Sequence, residues 1–386
     1  MKTSMLATLI CLSAPAFAQE SLPVIRATSA KAAIYMQDRP GRRWNIEPAQ
    51  KLDVFETPKM ATQEQIRFKT DSDSIVFTLK PGTHKDFVVL LNDKDSCLTR
   101  IQSPALLDFS QQYPALHDTI PMYINEYNTM YIAAVLNGTD TLWLNFDTGS
   151  SDITLKEETI AKLKTPLDLY RKPYDLRIGT RHYTSPVFDT KLSGHGTEGR
   201  FGWNLFDGYV VELNYDKGIM VVHGQLPKAI AADKKYTRLP MHYIDNIFLV
   251  RSSLQQGKTK LPFWFLYDSG YQRTAMLDND LLKETQFPAA QMKELNRVIM
   301  RDGRNKEIPV ITANLEQLHL GNYTLKKVPV QVQTANKPLA GLNIHILGNE
   351  VLKRFNTVLD FQHNVVYMKP GRYFNDPYIV QKPGKS

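Results

Sequence analysis

Apolar and polar positions alternate along most of this chain, in short runs separated by turn residues, a pattern of β-strands rather than long helices. In the first hundred residues "AAIYM", "QIRFKT", "SIVFTL" (74–79) and "DFVVLL" (86–91) read as strands. Pro81-Gly82 forms the turn joining the last two, and Asn92-Asp93 a further turn. These runs predict a small β-sandwich-like domain over residues 19–115 with nothing catalytic in it, most simply an accessory or partner-binding module. "SPALLDFSQQYPALHDTIP" (103–121) reads as a linker with a helical fragment.

Beyond the linker the chain repeats itself, over residues 116–238 and 239–386. The first copy opens with "MYIAAVLNGTDTLWLNFDTGSS", in which Asn137-Gly138 is a strong hairpin turn. The second opens with "IFLVRSSLQQGKTKLPFWFLYDSGY", with Gln256-Gly257 in the equivalent loop. Each second strand carries a tryptophan (Trp143, Trp264) and runs into an Asp-hydroxyl-Gly tripeptide, Asp147-Thr148-Gly149 and Asp268-Ser269-Gly270. A short strand ending in Gly179 or Gly321 follows, then a return strand. "FGWNLFDGYVVELNYDKGIMVV" aligns without gaps on "LGNEVLKRFNTVLDFQHNVVYM", Gly202 on Gly348, with turn residues Gly218 and Asn364 superposed.

One such tripeptide is unremarkable; two, closing equivalent strands of a repeat, are specific. Hydrolysis of an amide without metal or covalent nucleophile needs an activated water and a proton donor for the developing oxyanion. Two facing carboxyls supply both, because like charges about 3 Å apart cannot both ionise. The glycine lets backbone approach closely, and the small hydroxyl residue bonds locally or across to the other copy.

On "FDTGSS", "YDSG" and "HILGNEVL", the region from about 120 to 373 resembles the retropepsin-like and pepsin-like aspartic proteases in their single-chain, two-lobe form. The resemblance implies a mainly β chain, two half-barrel lobes behind the small β-domain, and an extended peptide or protein substrate. It implies a dyad of Asp147 and Asp268 holding the attacking water, with Thr148 and Ser269 bracing the opposite lobe. Gly149 and Gly270 become the close-approach positions, Ser150 a supporting hydroxyl. It also implies a mobile hairpin flap, for which "VIMRDGRNKEIPV" (298–310), tipped by Asp302-Gly303, offers the room. The chain departs from the pattern twice. Tyr271 stands where a small residue is usual, and is expected to turn elsewhere and crowd the cleft. Arg200-Phe201-Gly202 stands where two apolar residues precede the glycine.

Composition narrows the setting. "MKTSMLATLICLSAPAFAQE" reads as a secretory signal peptide (1–18), with Lys2, an apolar stretch and Ala16-Phe17-Ala18 before Gln19. Export to a periplasmic or extracellular space is therefore expected, with no later apolar run long enough to span a bilayer. Removing Lys2 lowers the formal charge of +8 by one and leaves Cys97 as the one cysteine, expected in a buried strand. The positive charge is diffuse, so no nucleic-acid partner is expected, and no Cys/His spacing suggests a metal. "GHGTEG" (194–199) matches a dinucleotide fingerprint but fills the loop before the closing unit of the first copy; no cofactor is expected, and His195 reads as a solvent-facing loop residue. The expectation is a monomeric aspartic endopeptidase of two pseudo-symmetric lobes. The alternative is a catalytically weak or inactive protein of the same fold acting as a binding or scaffold protein, and in either case residues 20–115 could carry a surface partner.

Overall fold

The computed structural model describes residues 21–37, 39, 41–112, 116–302, 304–334 and 342–379. The signal-peptide reading and Gly303 fall outside these. The described chain is mainly β, built of five sheets.

Two four-stranded sheets make the N-terminal part. One runs Val24–Ala27, His84–Leu91, Asp95–Gln102, Asp53–Glu56; the other Arg42–Asn45, Lys31–Met36, Glu64–Lys69, Ser74–Leu79. Strict alternation in Glu64–Lys69 sends Ile66 and Phe68 inward, where they meet Ile34, Phe87, Val89 and Ile101. Pro81-Gly82 does not close a hairpin. It carries the chain from one sheet to the other, while Asn92 and Asp93, both at positive φ, turn the hairpin between His84–Leu91 and Asp95–Gln102. Cys97 lies buried opposite Val89.

The linker departs from its reading: no helix forms in its described residues. Phe109 stacks on Tyr209 with ring centroids 4.6 Å apart, and Phe109 N–H donates to Gly208 O. The segment is thus held extended against the second domain rather than coiled on itself. His117–Pro121 is a strand, paired antiparallel with Ile219–His223.

The repeat folds into two sheets of matching order. In the first, Met130–Leu136, Asp140–Asp147, Gly199–Gly202, Ile153–Lys156, Arg181–Thr190 and Pro173–Ile178 are successive neighbours. In the second the same places fall to Ile247–Gln256, Thr259–Tyr267, His345–Leu347, Ala275–Leu277, Tyr323–Gln333 and Glu307–Leu320. The closing units meet between the lobes. Val210–Asn214 pairs antiparallel with Phe355–Asp360 at the centre of a six-stranded sheet, flanked by Ile219–His223 and Val365–Pro370. Their register, Val210 opposite Asp360 and Leu213 opposite Thr357, satisfies the two-fold relation that the gapless alignment implies.

The first domain docks on the lobes through charge. Arg39 donates to Glu64 and to Tyr243 O, both at 2.8 Å, and Arg42 pairs with Asp245. Lys59 reaches Asp207 at 2.5 Å and Phe361 O at 3.2 Å while lying over the Tyr243 ring. None of these lobe residues belongs to either Asp-hydroxyl-Gly tripeptide.

Candidate active site

Each tripeptide sits where a central strand ends. Asp140–Asp147 lies between an antiparallel partner, Met130–Leu136, and a parallel one, Gly199–Gly202, so the chain past Asp147 must loop out of the sheet. Thr259–Tyr267 is placed the same way between Ile247–Gln256 and His345–Leu347, and Asp268 follows it. The glycines of the two closing units make room for the loops. A Cβ on Gly202 would stand 2.5 Å from Ser150 O, and one on Gly348 would stand 2.5 Å from the Tyr271 ring.

The structure brings the two loops together. A Cβ on Gly149 would lie 2.5 Å from the Asp268 carboxyl carbon, and one on Gly270 would overlap the Asp147 carboxyl. Each carboxyl therefore rests against the other lobe's glycine, a place that only a hydrogen side chain leaves open. The two carboxyls thus stand close enough for the charge of one to act on the other. Asp147 Oδ1 accepts from Gly149 N–H at 2.9 Å, and Asp268 Oδ1 accepts from Tyr271 N–H at 2.9 Å. Both residues are mostly enclosed and keep a small exposed part.

Enclosure pushes the Asp268 carboxyl well above the usual carboxylate range, and the neighbouring Asp147 charge pushes the same way. The N–H groups of Tyr271 and Gly270 oppose this. The pair is therefore built to keep one proton at pH values where an isolated Asp has lost it.

Thr148 and Ser269 are fully buried beneath the carboxyls and bond across the lobe boundary. Ser150 Oγ donates to Asp147 O at 3.1 Å, supporting the loop rather than the outer carboxylate oxygen. Tyr271 does turn away, but into the body of its lobe. Its ring packs against the cluster of Leu249, Leu266, Met276 and Ile346, and its hydroxyl donates to Gln331 Oε1 at 3.1 Å. Its backbone N–H still serves Asp268, so the larger side chain costs the site one hydroxyl and no backbone donor.

The strands Lys293–Arg301 and Glu307–Leu320 form a hairpin whose Met300 reaches Tyr271. Asp302, at its turn, accepts from the N–H groups of Arg304 and Lys306. This is the segment expected to supply a flap.

Two features were not legible as site residues. Arg200 Nε lies 3.4 Å from Asp147 Oδ2; the sequence signal was its substitution for an apolar residue. His195 is exposed but not free of the other lobe. Its Nδ1 pairs with Gln272 Oε1 at 2.8 Å, and its ring stacks on Tyr127. Gln272 in turn donates to Thr129 Oγ1 at 2.6 Å, which ties the loop after Asp268 to the first lobe. The "GHGTEG" segment leads directly into the strand Gly199–Gly202, with no helix for a phosphate to cap. Among the described residues no cluster of three or more His, Cys, Asp or Glu side chains could hold a metal, and no helix is long and apolar enough to cross a membrane.

No family model matches the chain, and no curated protein does. Among solved structures it is similar to the crystal structure of aspartic proteinase from Irpex lacteus, with a TM-score of 0.44 and 13% identity, over 67% of this chain and 99% of that one.

Proposed function

We propose that this protein is an exported aspartic-type endopeptidase that hydrolyses peptide bonds with a water held between Asp147 and Asp268. The observation that carries the proposal is the mutual seating of the two carboxyls, each against the opposite lobe's glycine and close enough to feel the other's charge. With one proton on the pair, the ionised carboxyl takes a proton from water as it attacks the scissile carbonyl. The protonated carboxyl donates to the carbonyl oxygen as it becomes tetrahedral, and the proton then passes to the leaving amine. No metal or cofactor enters this scheme. The buried Thr148–Ser269 bonds hold the carboxyl spacing, and the segment 298–310 is the one proposed to close over the peptide.

The signal-peptide pattern supports export to a periplasmic or extracellular space, with the chain divided into residues 19–115, 116–238 and 239–386. The supporting experiment is cleavage of a peptide library by the wild type beside Asp147→Asn and Asp268→Asn. Loss of cleavage in both with the fold intact supports the reading; full activity in both removes it.

One observation favours a second reading, a protein that binds peptides without turning them over. The Arg200 guanidinium stands close enough to Asp147 to compete with water for its carboxylate. Saturable peptide binding by the wild type, with no dyad-dependent cleavage at any pH from 3 to 8, would select it.

A further inference from the structure

The two halves of the dyad have unlike neighbours. Arg200 pairs with Asn145 in the parallel ladder beside Asp140–Asp147, one pleat before Asp147 and on the same face of the sheet. Its counterpart by the repeat is Ile346, which pairs with Leu266 and packs among Leu249, Trp264 and Met276. One lobe thus places a guanidinium beside its carboxyl where the other places an alkyl group.

The Arg200 side chain is 21% exposed, and its Nη1 donates to Leu192 O at 3.3 Å, which fixes the head group next to the dyad. Its Nε is buried, 3.4 Å from Asp147 Oδ2, without a formed hydrogen bond to any acceptor. A buried donor left this way is costly unless a nearby negative charge compensates it. The other charged groups around the pair are turned elsewhere. Asp152 in the same loop is engaged by Ser151, Ser185 and Asn204, Tyr271 points to Gln331, and Arg273 acts on Tyr271. Among the described residues, the recorded charged contacts of Asp147 are Arg200 and the neighbouring Asp268.

We infer that Arg200 is a positioning residue that sets the pH range in which the dyad works. The inference rests on the dyad reading of Asp147 and Asp268. A cation at this distance favours the singly charged pair over the neutral pair, and the doubly charged pair over the singly charged one. Both protons are therefore released at lower pH than they would be without it, and the whole active window moves toward acid.

The test compares the wild type with Arg200→Met and Arg200→Lys on two readouts. The first is the pH profile of kcat/KM on a cleaved peptide. The second, which needs no activity, is carbon-13 NMR titration of the Asp carboxyls in the full chain. The expected result is that Arg200→Met moves both limbs, and the carboxyl titration, upward by about one unit or more, while Arg200→Lys restores most of the wild-type position. Titration that moves in a protein that cleaves nothing upholds this inference and rejects the protease reading. Unmoved titration overturns it, as does a change confined to KM for acidic peptides with both limbs in place, which would make Arg200 a substrate-binding group.

Discussion

Thr148 and Ser269 hold each other across the lobe boundary. Thr148 Oγ1 donates to Tyr267 O at 2.7 Å and accepts from Ser269 N–H at 3.0 Å. Ser269 Oγ donates to Phe146 O at 2.6 Å and accepts from Thr148 N–H at 3.0 Å. Each hydroxyl satisfies the main chain just before the other lobe's Asp and just after it, so the four bonds fix the separation of the carboxyls.

Thr148→Val keeps the shape but orphans Tyr267 O and Ser269 N–H in a fully buried place. Unpaired buried groups cost about 1–3 kcal/mol each, so the variant should lose roughly 2–6 kcal/mol in urea unfolding on that scale. Ser269→Ala should behave alike. The double variant should lose less than the sum, because the two hydroxyls serve one network. Additive losses would show that the bonds act independently.

The raised Asp268 carboxyl has a signature in stability. Asp268 has a folded-state pKa raised above its unfolded value, so its contribution is fully present below about pH 4, the ordinary Asp range, and is lost as pH rises through the folded value. Wild-type stability should therefore fall with rising pH above that point, by at most about 1.4 kcal/mol per unit for one proton. Asp268→Asn should flatten the slope. Urea midpoints measured from pH 3 to 8 on both proteins decide this.

His345 works in the opposite sense. It is fully buried between Phe263 and Phe265, accepts from Asp278 N–H at 3.0 Å, and burial pushes its imidazole down to about 3. Its neutral form contributes stability that is present above its ordinary value near 6.5 and lost as pH falls toward the folded value. His345→Gln, which keeps an acceptor and cannot charge, should lose less stability than the wild type between pH 6 and 3. Parallel acid-unfolding curves would contradict the assignment.

The first domain should resist separation from the lobes. Lys59 is largely buried, and that burial lowers its pKa against the opposing pull of Asp207 and Asp360. Lys59→Met leaves Asp207 and Phe361 O without this partner and should destabilise the folded chain by about 1–3 kcal/mol. It should also make the 103–116 linker more open to limited proteolysis. An unchanged cleavage rate there would argue that the docking rests on Arg39 and Arg42 alone.

Much of this architecture was readable from residue order because it is local. Asn137-Gly138 takes the positive φ values of a tight hairpin turn, and Gly179 and Gly321 both turn at positive φ, as their place in the repeat suggested. The 202–223 and 348–369 units share a register because the pattern of buried positions repeats. What was not legible depends on contacts distant in sequence. Pro81-Gly82 marked a turn, but which sheet each flanking strand would join is set by inward-facing partners such as Phe68 and Phe87. The linker had the composition of a helix fragment, yet Phe109 gains more by stacking on Tyr209, 100 residues away. Likewise the sequence showed that Tyr271 was large, not that the space beneath Met300 and beside Gln331 would receive it. Arg200 was visible as a departure, but only the parallel pairing of its strand with Asp140–Asp147 brings it to the dyad.

The most direct test of the central claim is peptide-library cleavage across pH 3 to 8, read by mass spectrometry, with wild type, Asp147→Asn and Asp268→Asn run together. The account predicts internal cleavages by the wild type, lost by at least a hundredfold in each variant, with all three proteins equally folded. Cleavage that persists at the wild-type rate in both variants would contradict it.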